Sequence, residues 1–178
     1  NYGGVYREVA LYDTPATVIR DLFVYLSEDG IRAELAVDGP ADTVRLEIPE
    51  LGVDVEIGLT DGRCSARVEA VPELWSPDSP RLYDVVATAG ADRVRDRVGF
   101  RLIERRGTEI LLNGRPVFLR GISVHEDDQA TGKVTSEEDL RRRFRHAKEL
   151  GCNFLRLAHY PHHERASQIA DEMGLMLW

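Results

Sequence analysis

Residues 121–178 read GISVHEDDQATGKVTSEEDLRRRFRHAKELGCNFLRLAHYPHHERASQIADEMGLMLW, and the fold turns on this stretch. Gly121 to Val124 is a strand-like run that leads into the polar residues His125 to Gln129. A helix follows. Thr135 can cap it, with Glu138 three residues later completing a capping box. Leu140, Phe144, Ala147 and Leu150 recur at steps of four, three and three, an apolar stripe along one face, and Gly151 closes the helix. Asn153 to Leu157 reads as a strand. His163 to Met173 reads as a second helix carrying Ala166, Ile169, Ala170 and Met173, stopped by Gly174. Leu175 to Trp178 is a further strand. Alternating strands and helices predict a parallel sheet. A complete barrel or open parallel sheet needs more strands than these, so the unit is expected to be truncated.

Working upstream, Asn113-Gly114 joins two short strands, Thr108 to Leu112 and Pro116 to Leu119, and is a strong hairpin signal. Before Arg105-Arg106-Gly107 the texture is different. Strands are predicted at Ala16 to Tyr25, Ile31 to Val37, Thr43 to Ile48, Val53 to Leu59, Cys64 to Val71, Leu82 to Ala89 and Val94 to Leu102, with turn residues between them. About seven short strands within about ninety residues is a β-sandwich pattern. The Cys…Trp…Cys spacing of disulfide-bonded immunoglobulin domains is absent. Residues 1–12 read as one more strand-like piece, with Val5, Val9 and Leu11 on one face behind Gly3-Gly4. A lone strand cannot bury its face, so this piece is expected to belong to something upstream. The expected division is 1–12, 13–105 and 106–178.

Composition narrows the function classes. The 178 residues are 43% hydrophobic, ample for a packed core, and carry 31 acids against 23 Lys and Arg. A net charge of −8 argues against nucleic acid or an anionic membrane as the main partner. No window approaches eighteen apolar residues in a row, so no membrane span is expected. Cys64 and Cys152 are read as two buried thiols rather than a disulfide. The chain opens on Asn1 and stops on Trp178 inside an apolar run, and both ends are read as cut. The expected location is cytoplasmic, with room for a secretion signal ahead of Asn1.

In parallel α/β architectures the chemistry gathers at the C-terminal ends of strands. Two such ends stand out. One gives His125, Glu126, Asp127 and Asp128; the other gives Arg156, His159, Tyr160 and Pro161, followed by His162 and His163. If the strands are neighbours, the two clusters face one crevice. Arg156 needs an acceptor for its guanidinium, either a catalytic carboxylate or sugar oxygen, or a structural ion-pair partner; both readings stand. His125 and His159 could donate to substrate hydroxyls. Their surroundings lack the His-Glu-x-x-His spacing of a metalloprotease, and no metal-ligand set and no cofactor are expected. His162 and His163 are placed at a helix start, one of them facing solvent, and His146 is structural or on the surface. Glu126, Asp127 and Asp128 are either a solvated loop or the place where a carboxylate meets a polyol. Adjacent residues rarely supply the two carboxyls of a glycosidase, so Glu126 is not read as a general acid. Trp75 is read as an anchored core or interface aromatic, with sugar stacking as the alternative.

At this point Leu112-Asn113-Gly114-Arg115-Pro116-Val117-Phe118-Leu119-Arg120-Gly121, His125-Glu126 and Asn153-Phe154-Leu155-Arg156-Leu157-Ala158-His159-Tyr160-Pro161 resemble glycoside hydrolase family 2. That family holds β-galactosidases, β-glucuronidases and β-mannosidases. Asn1 to Leu11 resembles the end of its N-terminal jelly roll. Leu74-Trp75-Ser76-Pro77 and Pro80-Arg81-Leu82-Tyr83 resemble a late turn of its immunoglobulin-like domain. The resemblance implies a multidomain fragment, an immunoglobulin-like β-sandwich followed by the start of a TIM (β/α)8 barrel. The missing jelly-roll and barrel segments of the parent are the partners expected, and a homo-oligomer is allowed.

The resemblance also implies a retaining exo-β-glycosidase with a β-glycoside substrate, in which one glutamate protonates the departing oxygen and another forms the glycosyl-enzyme. Both glutamates are expected beyond Trp178, so the fragment alone is expected to be inactive. Only supporting residues carry over. Arg156 matches the arginine beside the nucleophile. His159, in the His-Tyr-Pro motif with Tyr160, and His125 match residues near the sugar, and Asp127 looks like the glucuronidase version of its loop. β-Galactoside is slightly favoured and β-glucuronide is the alternative. A non-catalytic sandwich that binds carbohydrate or protein is the rival from another class.

Overall fold

A computed structural model describes residues 5–178. The chain forms two compact units. The first comprises residues 12–75 and 81–116; the second comprises 117–178 with the segments 5–11 and 76–80.

In the first unit, β1 (Val18–Ser27), β2 (Gly30–Asp38) and β5 (Arg63–Val68) make a three-stranded antiparallel sheet. Strands β4 (Val53–Gly58), β3 (Thr43–Ile48), β6 (Tyr83–Ala89) and β7 (Asp92–Val98) make a four-stranded one in that order. The alternation that predicts these strands also supplies the core. Ile31, Ala33, Leu35 and Val37 of β2, Val44, Leu46 and Ile48 of β3, and Val85 and Ala87 of β6 all turn inward. Four strands against three is the constant-type immunoglobulin-like arrangement. Trp75 is fully buried. Its main-chain N–H donates to Phe100 O at 2.8 Å, and the Arg101 guanidinium lies 4.5 Å from its ring centre. It is a core aromatic, not a sugar platform. Cys64 and Cys152 are free thiols; Cys152 is buried and Cys64 only half-buried.

Three more strands, β8 (Ile103–Arg106), β9 (Glu109–Leu112) and β10 (Arg115–Pro116), form a small antiparallel sheet. Asn113 and Gly114 make the predicted two-residue turn, both at positive φ (54° and 75°), with Arg115 facing Leu112. The expectation that the segment after the turn runs on as a strand to Leu119 is corrected, since pairing ends at Pro116. Asn113 does more than turn the chain. Its Oδ1 accepts from Leu102 N–H and its Nδ2 donates to Trp75 O, each at 3.0 Å.

The second unit holds β11 (Gly121–Val124), α1 (Glu137–Glu149), β12 (Phe154–Leu157), α2 (Arg165–Met173) and β13 (Met176–Leu177). The strands lie in the order β11-β12-β13, all parallel. Leu140, Phe144 and Ala147 of α1 and Ala166, Ile169 and Ala170 of α2 pack on Val124, Leu155 and Leu175. The cap of α1 is Ser136, not Thr135. Ser136 Oγ accepts from Asp139 N–H, and the Asp139 carboxylate accepts in return from Ser136. Leu150 is not buried with the rest of the predicted stripe; it stands at the C-cap, beyond the last turn, and is exposed. Residues 5–12 form no strand, and Val5, Val9 and Leu11 are exposed. Alternation without a ladder partner does not make a strand. The Gly3-Gly4 part of that reading lies outside the described residues.

Candidate active site

The site grows from the register of β11 against β12. Ser123 faces Arg156 and Val124 faces Leu157, and Ala158 N–H donates to Val124 O at 3.0 Å. Parallel strands in step must end together, so His125 and His159 emerge from the same end of the sheet. Their rings meet edge to face with centroids 5.2 Å apart. Both residues are exposed. Two imidazoles, side by side and open to solvent, can present donors and acceptors to one polyol.

Behind them lies a polar network. Glu126 is 1% exposed, the only buried charged side chain among the described residues. Strand alternation explains its direction: it follows Val124 at a spacing of two and turns inward as Val124 does, opposite to His125. Its Oε1 accepts from His163 N–H at 2.6 Å, and its Oε2 accepts from the Arg7 guanidinium. Arg7 also donates to Pro161 O at 3.1 Å. The solvated-loop reading is thus corrected for Glu126, since burial of a carboxylate is tolerable only with such partners.

Tyr160 occupies the next position. Its phenol oxygen accepts from Glu126 N–H at 2.9 Å and from Lys133 Nζ at 2.8 Å. Its ring stacks on His162 with centroids 5.0 Å apart. A tight loop delivers Lys133, closed by reciprocal backbone bonds of 2.9 Å between Asp128 and Gly132. Lys133 pairs with Asp127 at 3.2 Å. The bond to the Tyr160 phenol, helped by Asp127, raises the Lys133 ammonium above its ordinary value despite partial desolvation.

His162 is not at the surface: its side chain is 1% exposed. Its Nε2 lies 3.1 Å from Ala158 O, which can only accept, so Nε2 carries the proton. Nδ1 then points at Glu126 Oε1, 4.0 Å away. His163 Nδ1 accepts from Arg165 N–H at 3.1 Å, at the start of α2. His146 is exposed on α1. The Arg156 guanidinium lies 5.3 Å from the centre of the Trp178 ring. Among the described residues it forms no ion pair. Among the described residues no group of three or more His, Cys, Asp or Glu is placed to hold a metal ion.

The structure therefore brings His125, Asp127, His159 and Tyr160 to one end of the sheet, with Arg156 on the adjoining strand. Sequence reasoning missed Arg7 and Lys133, and it placed His162 at a helix start without its burial. The inward phase of Glu126 could have been read from Val124. Nothing local announces Arg7, 119 residues away from its partner.

Comparison with known proteins agrees with this architecture. The family model "Glycosyl hydrolases family 2" matches residues 17–101, and "Glycosyl hydrolases family 2, TIM barrel domain" matches residues 103–178. A β-galactosidase of an Arthrobacter species is 33% identical over 174 residues, covering 96% of this chain and 17% of its own length. The crystal structure of a family 2 β-galacturonidase from Eisenbergiella tayi superposes with a TM-score of 0.78 at 30% identity, over 92% of this chain and 32% of that one. β-Glucuronidase 3 of Bacteroides uniformis gives a TM-score of 0.76 at 32% identity, over 93% and 23%. The chain thus spans less than a third of the length of these relatives. An immunoglobulin-like sandwich followed by the opening strands of a TIM barrel, matched over residues 17–101 and 103–178 by two models of one family, places the chain in glycosyl hydrolases family 2.

Proposed function

We propose that these residues are the sandwich and first barrel strands of a retaining exo-β-glycosidase. Its strand tips at His125 and His159 bind the terminal sugar. The observation that supports this most is the pair of exposed imidazoles 5.2 Å apart on the C-terminal ends of adjacent parallel strands. In this reading Arg156, free of any ion pair among the described residues, favours the ionised nucleophile contributed by the rest of the barrel. Asp127 and Tyr160 line the same mouth. Both catalytic glutamates come from later strands, so the 178-residue chain alone hydrolyses nothing. β-Galactoside is the leading substrate and β-glucuronide the alternative, the latter from the His125-Glu126-Asp127 loop.

The test is hydrolysis of nitrophenyl β-galactoside and β-glucuronide by residues 1–178 and by the full-length protein. The full-length protein turns over one of them, the short chain neither, and His159→Ala lowers kcat/KM in the former by tenfold or more. Turnover by the short chain, abolished by a carboxylate substitution inside it, would overturn the reading.

One observation favours a second, non-catalytic role. The outer face of the β1-β2-β5 sheet carries a cavity of about 360 Å³ where Phe23, 62% exposed, stands beside Glu34, Arg63 and Ser65. An open aromatic ring among polar groups can stack on the apolar face of a sugar. Binding of galactose or cellobiose to the chain, lost in Phe23→Ala, would support it.

A further inference from the structure

The buried carboxylate of Glu126 plays no part in the chemistry just proposed, yet it binds partners from two distant segments of the second unit. Three segments meet on this residue, and a fourth braces it through Tyr160. It stands two residues past the end of β11. The loop after β12 donates His163 N–H to its Oε1 and receives its main-chain N–H at the Tyr160 phenol. The segment 5–11 contributes Arg7 to Oε2, and the same Arg7 holds Pro161 O of that loop. The loop bearing Lys133 closes on Tyr160 from the other side.

These bonds bracket the exposed imidazoles. His125 immediately precedes Glu126. His159 lies between Ala158 and Tyr160, and both of those neighbours are tied down. Ala158 N–H donates to Val124 O at 3.0 Å and Ala158 O receives His162 Nε2, while Tyr160 is held by Glu126 N–H and Lys133. His159 itself is exposed and forms no hydrogen bond among the described residues. Its direction is therefore set by its neighbours. A buried carboxylate enforces such an arrangement strongly, because a loop that drifts away leaves an unpaired charge inside the protein.

We infer that Glu126 is a positioning residue, fixing the Ala158–His163 loop so that His159 and His125 face one sugar ring. It acts through those histidines and does not touch the sugar, since it points to the opposite side of β11 from His125. The inference rests on the sugar-binding role proposed for the two strand tips. A displacement of about 1 Å at a positioning contact is enough to lower turnover on the order of a hundredfold.

The test compares Glu126→Gln and Glu126→Asp with the wild-type chain by amide and imidazole NMR, with circular dichroism as the control for folding. In Glu126→Gln the His163 amide loses tenfold or more of its protection from exchange, because a charge-assisted bond becomes a neutral one. The His159 and Tyr160 signals shift, while Leu155 and Ile169 stay in place. Glu126→Asp, shorter but still charged, shifts the same signals by less. Unchanged His159 and Tyr160 signals in both variants would overturn the inference. So would loss of the whole unit in both, which would make Glu126 a determinant of folding.

The kinetic arm uses the full-length protein in a cycle with His159→Ala. Glu126→Gln alone lowers kcat/KM on the nitrophenyl substrate tenfold or more, but less than twofold once His159 is alanine. Independent, multiplying losses would overturn the positioning role. If the wild-type protein hydrolyses no glycoside, the sugar reading fails on its own, and the NMR arm still decides whether Glu126 sets the direction of His159.

Discussion

Replacing Asn153 probes the register that brings the two strand tips together. Asn153 is 7% exposed at the entry to β12. Its Nδ2 donates to Phe118 O at 3.0 Å and its Oδ1 accepts from Arg120 N–H at 2.8 Å. Its main-chain N–H donates to Arg120 O at 2.9 Å, and its carbonyl accepts from Met176 N–H at 3.0 Å. One residue thus ties the entry of β11 to that of β13. Asn153→Ala removes two side-chain bonds, each with a net value of about 1 kcal/mol, and strands a donor and an acceptor that need new partners. The expected loss is about 2–3 kcal/mol, roughly 30- to 150-fold in the opening equilibrium. Asn153→Asp keeps the acceptor half but sets a carboxylate oxygen against Phe118 O, so it costs at least as much as alanine at pH 7. Because the chain has two units, the assay is native-state hydrogen exchange of the Leu155 and Leu157 amides, which reports on β12 alone. An alanine variant within about 0.5 kcal/mol of wild type, or an aspartate variant clearly more stable than the alanine one, would refute the reasoning.

Three further outcomes follow from particular contacts. Asn113→Gly loses two side-chain bonds but keeps the turn's freedom, whereas Asn113→Ala adds the cost of positive φ, so chemical denaturation should place alanine about 1 kcal/mol below glycine; equal stabilities would contradict this. A methyl group at Gly99 would stand 2.6 Å from Trp75 Cδ1, so Gly99→Ala should destabilise by about 1–3 kcal/mol and alter the near-UV dichroism of Trp75, and an unchanged spectrum would refute it. The bonds from Arg32 and Ser27 hold the Asp29 carboxyl down at about 2. A lowered folded value means that the pairing stabilises the fold above the usual carboxylate range and loses this effect as pH falls through about 2. An NMR titration should show Asp29 in Arg32→Gln returning towards its ordinary value.

Alternation made the sandwich legible. Each of its seven strands lies within about two to four residues of its predicted span, because inward residues at a spacing of two mark strands buried on one face. Strand β8 was not, since all four of its residues are exposed and only hydrogen bonding to β9 defines it. The two ends of α1 show the limits of local signals. Thr135 with Glu138 and Ser136 with Asp139 both satisfy the capping pattern, and the chain uses the second. Leu150 keeps the helical phase but lies past the last turn, where phase no longer implies burial. In the candidate site, the pairing of His125 with His159 followed from the rule that parallel strands expose their ends together. The clamp around Glu126 did not, because an acid between a histidine and two further acids looks solvated until its partners arrive from positions 7 and 163.

The central claim is that the two strand tips form one sugar site. The most direct measurement is a crystal structure of the full-length protein soaked with galactose or with glucuronic acid. The account predicts one sugar ring within hydrogen-bond reach of both His125 and His159, with Glu126 buried behind them against His163 N–H. A sugar held elsewhere, with His125 and His159 turned to separate surroundings, would contradict it.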